Sequence, residues 1–308
     1  MLQIFFGLTP FIFITVLGFI FGRIKIFDLS HAKVFNLFLF YIAVPALIIK
    51  FVAQSEIGQI DLKQIISYFL MQGSLGLLTF LITSNFFKRP VQESIIWSLM
   101  VALSNHVTLL LPITKIYFGT EVITQVTSII LMDGIILLSV ITFFLELTTK
   151  KNIRVSVFLR NLFFNPMIMS IVIGVLLFSL KIDIFDTPID YILSVLAACV
   201  SPVGLFAIGI TLSFYSSKVL NKITVNISIL KLIISPIVLL LIGFVLFDAG
   251  VPEKIPGAFF VSVAPCGHTA IVLCSAYNVN PENIVKALFI STLASVVTIF
   301  FAIQYLTL

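Results

Sequence analysis

Hydrophobic residues run along this chain in long blocks, not in the alternation of a half-buried strand or the single stripe of a surface helix. Ten blocks lie near 4–22, 33–53, 65–87, 94–118, 122–146, 158–180, 188–213, 226–247, 256–276 and 283–305. Each is close to the roughly 20 residues that cross a hydrocarbon core as a helix. Short breaks rich in charge or turn residues separate them: "GRIKIFD", "SEIGQIDLK", "KRPVQE", "FGTE", "TTKKNIR", "KIDIFDTP", "SSKVLNK", "FDAGVPEK" and "NVNPEN". The pattern predicts an all-α integral membrane protein with ten transmembrane helices. The first block has its basic flank, Arg23 and Lys25, behind it rather than before it, so it reads as a retained helix and not as a signal peptide.

Composition sharpens this. Apolar residues make up 60% of the chain and charged residues 10%, against roughly 45–50% and 25% in soluble domains. The net charge of +5 is spread between the blocks, with no basic patch interleaved with aromatics, so no nucleic-acid partner is expected. The charge records topology instead. Alternate breaks hold Arg23, Lys25, Lys33, Lys88, Arg89, Lys150, Lys151, Arg154, Arg160, Lys218, Lys222 and Lys286, twelve of the eighteen basic residues. The positive-inside rule then puts "TTKKNIR" in the cytoplasm and both termini outside, in what reads as a bacterial inner membrane. Cys199, Cys266 and Cys274 have neither disulfide-framework nor metal-ligand spacing.

The chain also echoes itself. Pro10 matches Pro166, Pro45 in "IAVPALI" matches Pro202 in "CVSPVGL", Val101 and Tyr117 match Val261 and Tyr277, and "LSVITFF" (138–144) matches "ASVVTIF" (294–300), all at an offset of 156 to 160 residues. Two five-helix repeats are expected, 1–147 and 158–308, joined by a short cytoplasmic linker at 148–157. Five is odd, so the second copy enters the membrane from the opposite side. Such inverted repeats mark secondary transporters, whose site lies at the repeat interface near mid-membrane.

In each half the fourth block is broken. Pro112 and Pro265 each remove a backbone donor, a loss that lipid-facing backbone cannot tolerate. Ser104, Asn105, His106 and Thr108 gather beside the first, and Ser262, Cys266, Gly267, His268 and Thr269 beside the second. Two interrupted helices meeting there can aim their positive N-terminal ends at a carboxylate. Proline and glycine are also common in intact membrane helices, and Ser or Thr often only back-bond to their own turn. Asp133 lies mid-membrane in the fifth block, where it costs about 2.5–3.5 kcal/mol; it reads either as a binding site for a coupling H+ or Na+ or as a neutral, hydrogen-bonded structural group. Lys231 reads as a snorkelling side chain, an anion attractor, or a partner for Asp133. His106 and His268 read as proton carriers, carboxylate donors or structural histidines. Gln72 is a further pore-lining candidate.

These residues carry a resemblance. "NPMIMSIVIGVLL", "SPVGLFAIGITLSF", "LKLIISPIVLLL" and "STLASVVTIFF", with "LSNHVTLLLPITKIYFG" and "APCGHTAIVLCSAYN", resemble the auxin efflux carrier family, related to the bile acid/sodium symporter superfamily. The resemblance covers nearly the whole chain. It implies ten helices in two inverted repeats, a scaffold and a transport bundle, and crossover helices four and nine, with Asn105, Pro112 and Pro265 at crossover positions. It also implies alternating-access movement of a small organic anion, such as auxin in plants or malate and malonate in bacteria. It allows a homodimer through the scaffold helices. His106 and Val107 stand where the family has glycine-rich text, and His268 is bulky for its position. The expected function is a secondary transporter without a cofactor. The alternatives are a solute-gated channel or sensor, and an intramembrane hydrolase, for which no nucleophile motif is present.

Overall fold

The computed structural model describes residues 2–54, 62–149, 166–184, 186–215, 220–247 and 252–307, and among them every regular element is helical. The linker expected at 148–157 lies outside the described residues from position 150 on, as do the start of the 158–180 block and most of the "SEIGQIDLK" and "SSKVLNK" breaks. In chain order the α-helices are α1 (Leu2–Arg23), α2 (Leu29–Phe38), α3 (Val44–Gln54), α4 (Leu62–Leu81), α5 (Val91–Ala102), α6 (Leu111–Tyr117), α7 (Thr120–Met132) and α8 (Leu138–Thr149). They continue with α9 (Pro166–Ser179), α10 (Pro188–Ala198), α11 (Val200–Phe214), α12 (Lys222–Ile229), α13 (Ser235–Phe247), α14 (Pro256–Ser262), α15 (Thr269–Ala276) and α16 (Glu282–Thr307). Five stretches are long and apolar enough to cross a membrane: Leu29–Lys50, Leu62–Phe86, Pro188–Phe214, Lys222–Phe247 and Glu282–Thr307. Shorter apolar helices lie between them, and large side chains such as Phe13, Leu77, Leu241, Phe244 and Phe301 point outward. A helical bundle with an apolar exterior is an integral membrane protein, because lipid leaves no other way to satisfy the backbone.

Prolines set the irregularities. A five-residue π-helical turn precedes Pro45 (Leu39–Ala43), Pro112 (His106–Leu110) and Pro236 (Leu230–Ile234), each ending two residues before the ring. An interior proline has no N–H to give and its ring collides with the carbonyl four residues back. Widening the preceding turn moves that carbonyl aside and lets the helix axis continue. Another π turn, Asp133–Leu137, joins α7 to α8 and begins at the buried carboxylate of Asp133.

Packing relies on close backbone approach. α1 lies along α11, where a Cβ on Gly18 would collide with the carbonyl of Phe206 and one on Gly209 with the carbonyl of Thr15. Small residues allow this contact in lipid, where dispersion between near backbones replaces the hydrophobic drive. Elsewhere α9 packs on α3, α4 on α5 and α13, and α12 on α16. Polar side chains tie helix ends into two groups. Lys50 pairs with Asp190 at 2.7 Å, while Gln64 and Gln125 accept the amides of Ala258 (3.0 Å) and Gly257 (2.9 Å). At the far ends of these helices, Tyr277 donates to Glu146 (3.4 Å) and the Asn221 amide donates to Asn283 (2.9 Å).

Candidate functional site

α5 stops at Ala102 because Leu103 turns extended (φ −82°, ψ 128°), and the chain resumes at the π turn beginning with His106. α14 likewise stops at Ser262, and α15 starts at Thr269. The two gaps cross antiparallel, with a bridge between Ser104 and Cys266. The Asn105 amide donates to the Pro265 carbonyl (2.9 Å) and the Gly267 amide to the Leu103 carbonyl (2.7 Å). Ser104 Oγ donates to the Val261 carbonyl (2.8 Å). Each broken helix thus satisfies part of the other's freed backbone, which is what permits non-helical chain at this depth. A Cβ on Gly267 would sit 2.8 Å from the Leu103 oxygen, so this crossing needs glycine.

Around the first gap lies a buried polar network. Asp133, at the head of its π turn, takes Gln72 Nε2 on Oδ1 (2.7 Å) and His106 Nε2 and Tyr68 Oη on Oδ2 (2.9 and 3.3 Å). Gln72 Nε2 also reaches the Ala102 carbonyl (3.2 Å). Tyr68 and Gln72 are four residues apart on α4 and so share a face. Lys231, from the π turn between α12 and α13, has no exposed surface; its ammonium donates to the Val101 carbonyl (2.9 Å) and Ser104 Oγ (2.8 Å). Snorkelling therefore does not describe this lysine, and no direct ion pair joins it to Asp133. Its charge sits at the carbonyl end of α5, the favourable end of that helix dipole for a cation.

A cavity of about 50 Å³ opens beside these groups, bordered by Asn36, Ser104, Asn105, His106, Asp133 and His268. Taking about 10–15 Å³ for one water centre, it holds about three to five waters. Asn105 is almost wholly buried, and neither its Nδ2 nor its Oδ1 has a partner among the described residues; His106 Nδ1 is in the same position. The rest of the cavity wall is mostly apolar, with Leu39, Phe40, Val44, Ile48 and Leu138 among its residues. Buried polar atoms are nearly always paired, so these three atoms on the small cavity mark where water or a solute binds.

The other sequence candidates fall differently. Thr108 is buried against Gly204, Gln72 stands behind Asp133, and Pro265, Cys266 and Gly267 form the crossing itself rather than the cavity wall. Pro112 opens α6 and lines a separate, wider cavity. His268 and Thr269 do border the small cavity. Sequence reasoning missed Tyr68 and Asn36. Tyr68 was signalled by its i, i+4 spacing from Gln72, and Asn36 by being the one polar residue in the stretch 34–40. Ser291, whose Oγ accepts the Cys266 amide (3.3 Å), was also missed.

Comparison with known proteins adds a family. A model described as "Membrane transport protein" matches residues 3–303. Proteins named uncharacterized transporter YfdV, from Escherichia coli K12, Escherichia coli O157:H7 and Shigella flexneri, are each 25% identical over 307 residues, covering 97% of this chain and 96% of the relative. The family model covers nearly the whole chain, and the chain belongs to the membrane transport protein family of auxin efflux carrier type, a transporter and not an enzyme.

Proposed function

We propose that this protein is a secondary transporter of a small organic anion, a mono- or dicarboxylate, working by alternating access at the crossing of the two broken helices. The observation that carries this reading is the unpartnered, buried amide of Asn105 on a small cavity at that crossing. Its Nδ2 is a donor suited to a carboxylate oxygen, and His106 Nδ1 beside it can donate in the matching tautomer. The buried ammonium of Lys231 supplies a positive field without blocking the cavity. The cavity is too small for a dicarboxylate with its hydration shell, which fits an occluded conformation that must widen on one side to load.

The ten-helix, inverted-repeat arrangement, with both termini outside, is part of the same proposal. It is supported by the two groups of tied helix ends. With ten alternating crossings, each bonded pair falls on one side: Lys50 with Asp190 and Gln64 and Gln125 with the α14 amides on one, Tyr277 with Glu146 and Asn221 with Asn283 on the other. Ten alternating crossings bring these ends together, and merging the helices on either side of "FGTE" would put Gln125 on the wrong face. That break does end a helix: Phe118 is extended and α7 restarts at Thr120.

For coupling, a proton fits better than sodium. The Asp133 oxygens already receive donors from Tyr68, Gln72 and His106, leaving little of the oxygen cage a hard cation needs. The 2.9 Å contact between Asp133 and His106 instead offers two sites for one proton. The other ionisable groups facing this pair are Tyr68, Lys231 and His268. The test is counterflow of labelled malonate and malate in proteoliposomes across pH, with and without sodium. Saturable uptake by the wild type, lost in Asn105→Ala without a change in melting temperature, is the expected result. Full uptake in that variant refutes the site, and unsaturable flux at channel rates refutes the carrier mechanism.

A further inference from the structure

The small cavity has two sides of different origin. The crossing supplies Asn105, His106 and His268, while the helical run through α2 and α3 supplies Asn36, Leu39, Phe40, Val44 and Ile48. On the second side Asn36 is the one polar group among the described residues, and its side-chain amide has no hydrogen-bond partner among them. It is half-buried, whereas Asn105 is only 1% exposed. The cavity therefore carries a deep amide from the crossing and a shallower one from a helix outside the crossing.

Pro45 accounts for the placement of the second amide. Twelve positions separate Asn36 from Ile48, and an unbroken α-helix would leave them about 120° apart around its axis. The π turn Leu39–Ala43 spends one more residue on its turn. That takes back about 100°, so the two side chains return to within about 20° of one face. The widened turn that precedes Pro45 thus brings Asn36 onto the face that Val44 and Ile48 present to the cavity. A leucine there would match its neighbours, whereas an amide loses hydration when a ligand fills the space and needs a new partner. A monocarboxylate with an apolar tail leaves that amide unpaired. A dicarboxylate pairs it, and because Asn36 is the shallower of the two amides the second carboxylate keeps part of its hydration, so only one charge is fully desolvated.

We infer that Asn36 is the specificity-determining residue of this site: its amide takes the second carboxylate of a short dicarboxylate whose first carboxylate lies at Asn105 and His106, and it thereby selects diacids over monoacids of the same length. The inference rests on the transport reading for the first carboxylate and adds the second.

The test compares malonate with propionate, in which a methyl group replaces one carboxylate of the same three-carbon skeleton. Counterflow of each labelled acid is measured in proteoliposomes. The wild type is expected to favour malonate about tenfold in KM, the worth of one hydrogen bond to a charged group. In Asn36→Leu the ratio of the two KM values should collapse to near one, and in Asn36→Asp malonate should fall behind propionate, because the introduced carboxylate repels its second charge. Should Asn36→Leu not fold, Asn36→Ala removes the same amide. Asn105→Ala, which strips the deep end common to both acids, should lose both. A wild type without preference for malonate, or a ratio unmoved by the leucine and alanine variants, overturns the inference, and loss of both acids in Asn105→Ala then leaves the transport reading standing. Full transport of both acids by Asn105→Ala overturns the transport reading instead. If the wild type exchanges neither acid, the same ratio is read from the rise in melting temperature each acid gives the purified protein, and no rise with either overturns both.

Discussion

The gap after α5 and the gap after α14 cross each other, yet they use their polar atoms in opposite ways. At the first, His106 contacts a carboxylate from the π turn between α7 and α8, and Gln72 and Tyr68 from α4 complete the network. At the second, the Cys266 amide finds only the neutral hydroxyl of Ser291, and Thr298 Oγ1 donates to the Val263 carbonyl (2.8 Å). α4 and the π turn before α13 reach the same place: Gln72 donates to the Ala102 carbonyl and Lys231 to the Val101 carbonyl. The first gap therefore holds the Asp133–His106 pair beside unpartnered atoms, while the second, apart from His268 on the cavity wall, holds glycine, proline and neutral supports. The crossing is symmetric in backbone and asymmetric in chemistry. The physical lesson is that non-helical backbone at mid-membrane needs partners at both gaps, whereas a binding site needs unsatisfied atoms at only one.

Breaking the first gap should have the largest functional effect. Asp133→Asn keeps the volume but removes the charge, and is expected to lower net uptake about 100-fold, some 2.7 kcal/mol, while leaving malonate exchange at fixed pH much less affected. Net uptake that keeps its full rate and pH dependence would place coupling elsewhere. Breaking the second gap should instead appear as instability. Gly267→Val must push its side chain into Leu103 and is expected to cost about 1–3 kcal/mol, read as a lower melting temperature, with transport falling only as the folded fraction falls. A variant that melts normally but does not transport would reverse the assignment of roles.

Two smaller effects sharpen the contrast. Lys231→Met removes the buried cation between the gaps. Replacing a buried charge by an apolar group of similar volume is often neutral for stability, so the expected sign is a melting temperature near wild type with malonate KM raised about tenfold, roughly 1.4 kcal/mol of binding. An unchanged KM would show that the ammonium serves only the carbonyl of α5. Ser291→Ala should be smallest of all, less than about 1.5 kcal/mol in stability with kinetics unchanged, because it removes one neutral hydrogen bond. A kinetic defect there would mean the second gap also carries chemistry.

Much of this was readable from residue order. Block length set the helical, membrane-embedded class, because about 20 apolar residues in a row can be satisfied in lipid only as a helix. The two breaks were visible as well, from the polar residues gathered at 104–108 and 262–269; Pro265 lies in its gap, whereas the first gap lies well before Pro112, which is met by a π turn instead. The π turns were not visible: Pro45, Pro112 and Pro236 announce a disturbance, but whether a helix answers by stopping or by widening depends on what packs beside it. Lys231 shows the same limit. One turn inside its block it read as free to reach the membrane edge, yet its ammonium turns inward because the carbonyl of Val101, 130 positions away, lies within 2.9 Å.

Residue order thus fixes what has to be local: where the chain is apolar enough to live in lipid, where it breaks, and which polar types gather at the breaks. It is silent on which of those polar atoms find partners. Asn105 and Ser104 are neighbours with similar side-chain reach, but Ser104 is claimed by Val261 and Lys231 while Asn105 is left facing a cavity. That division is made by helices distant in sequence arriving at one point, and hydrogen bonds depend on distances of a few tenths of an ångström that no spacing rule encodes.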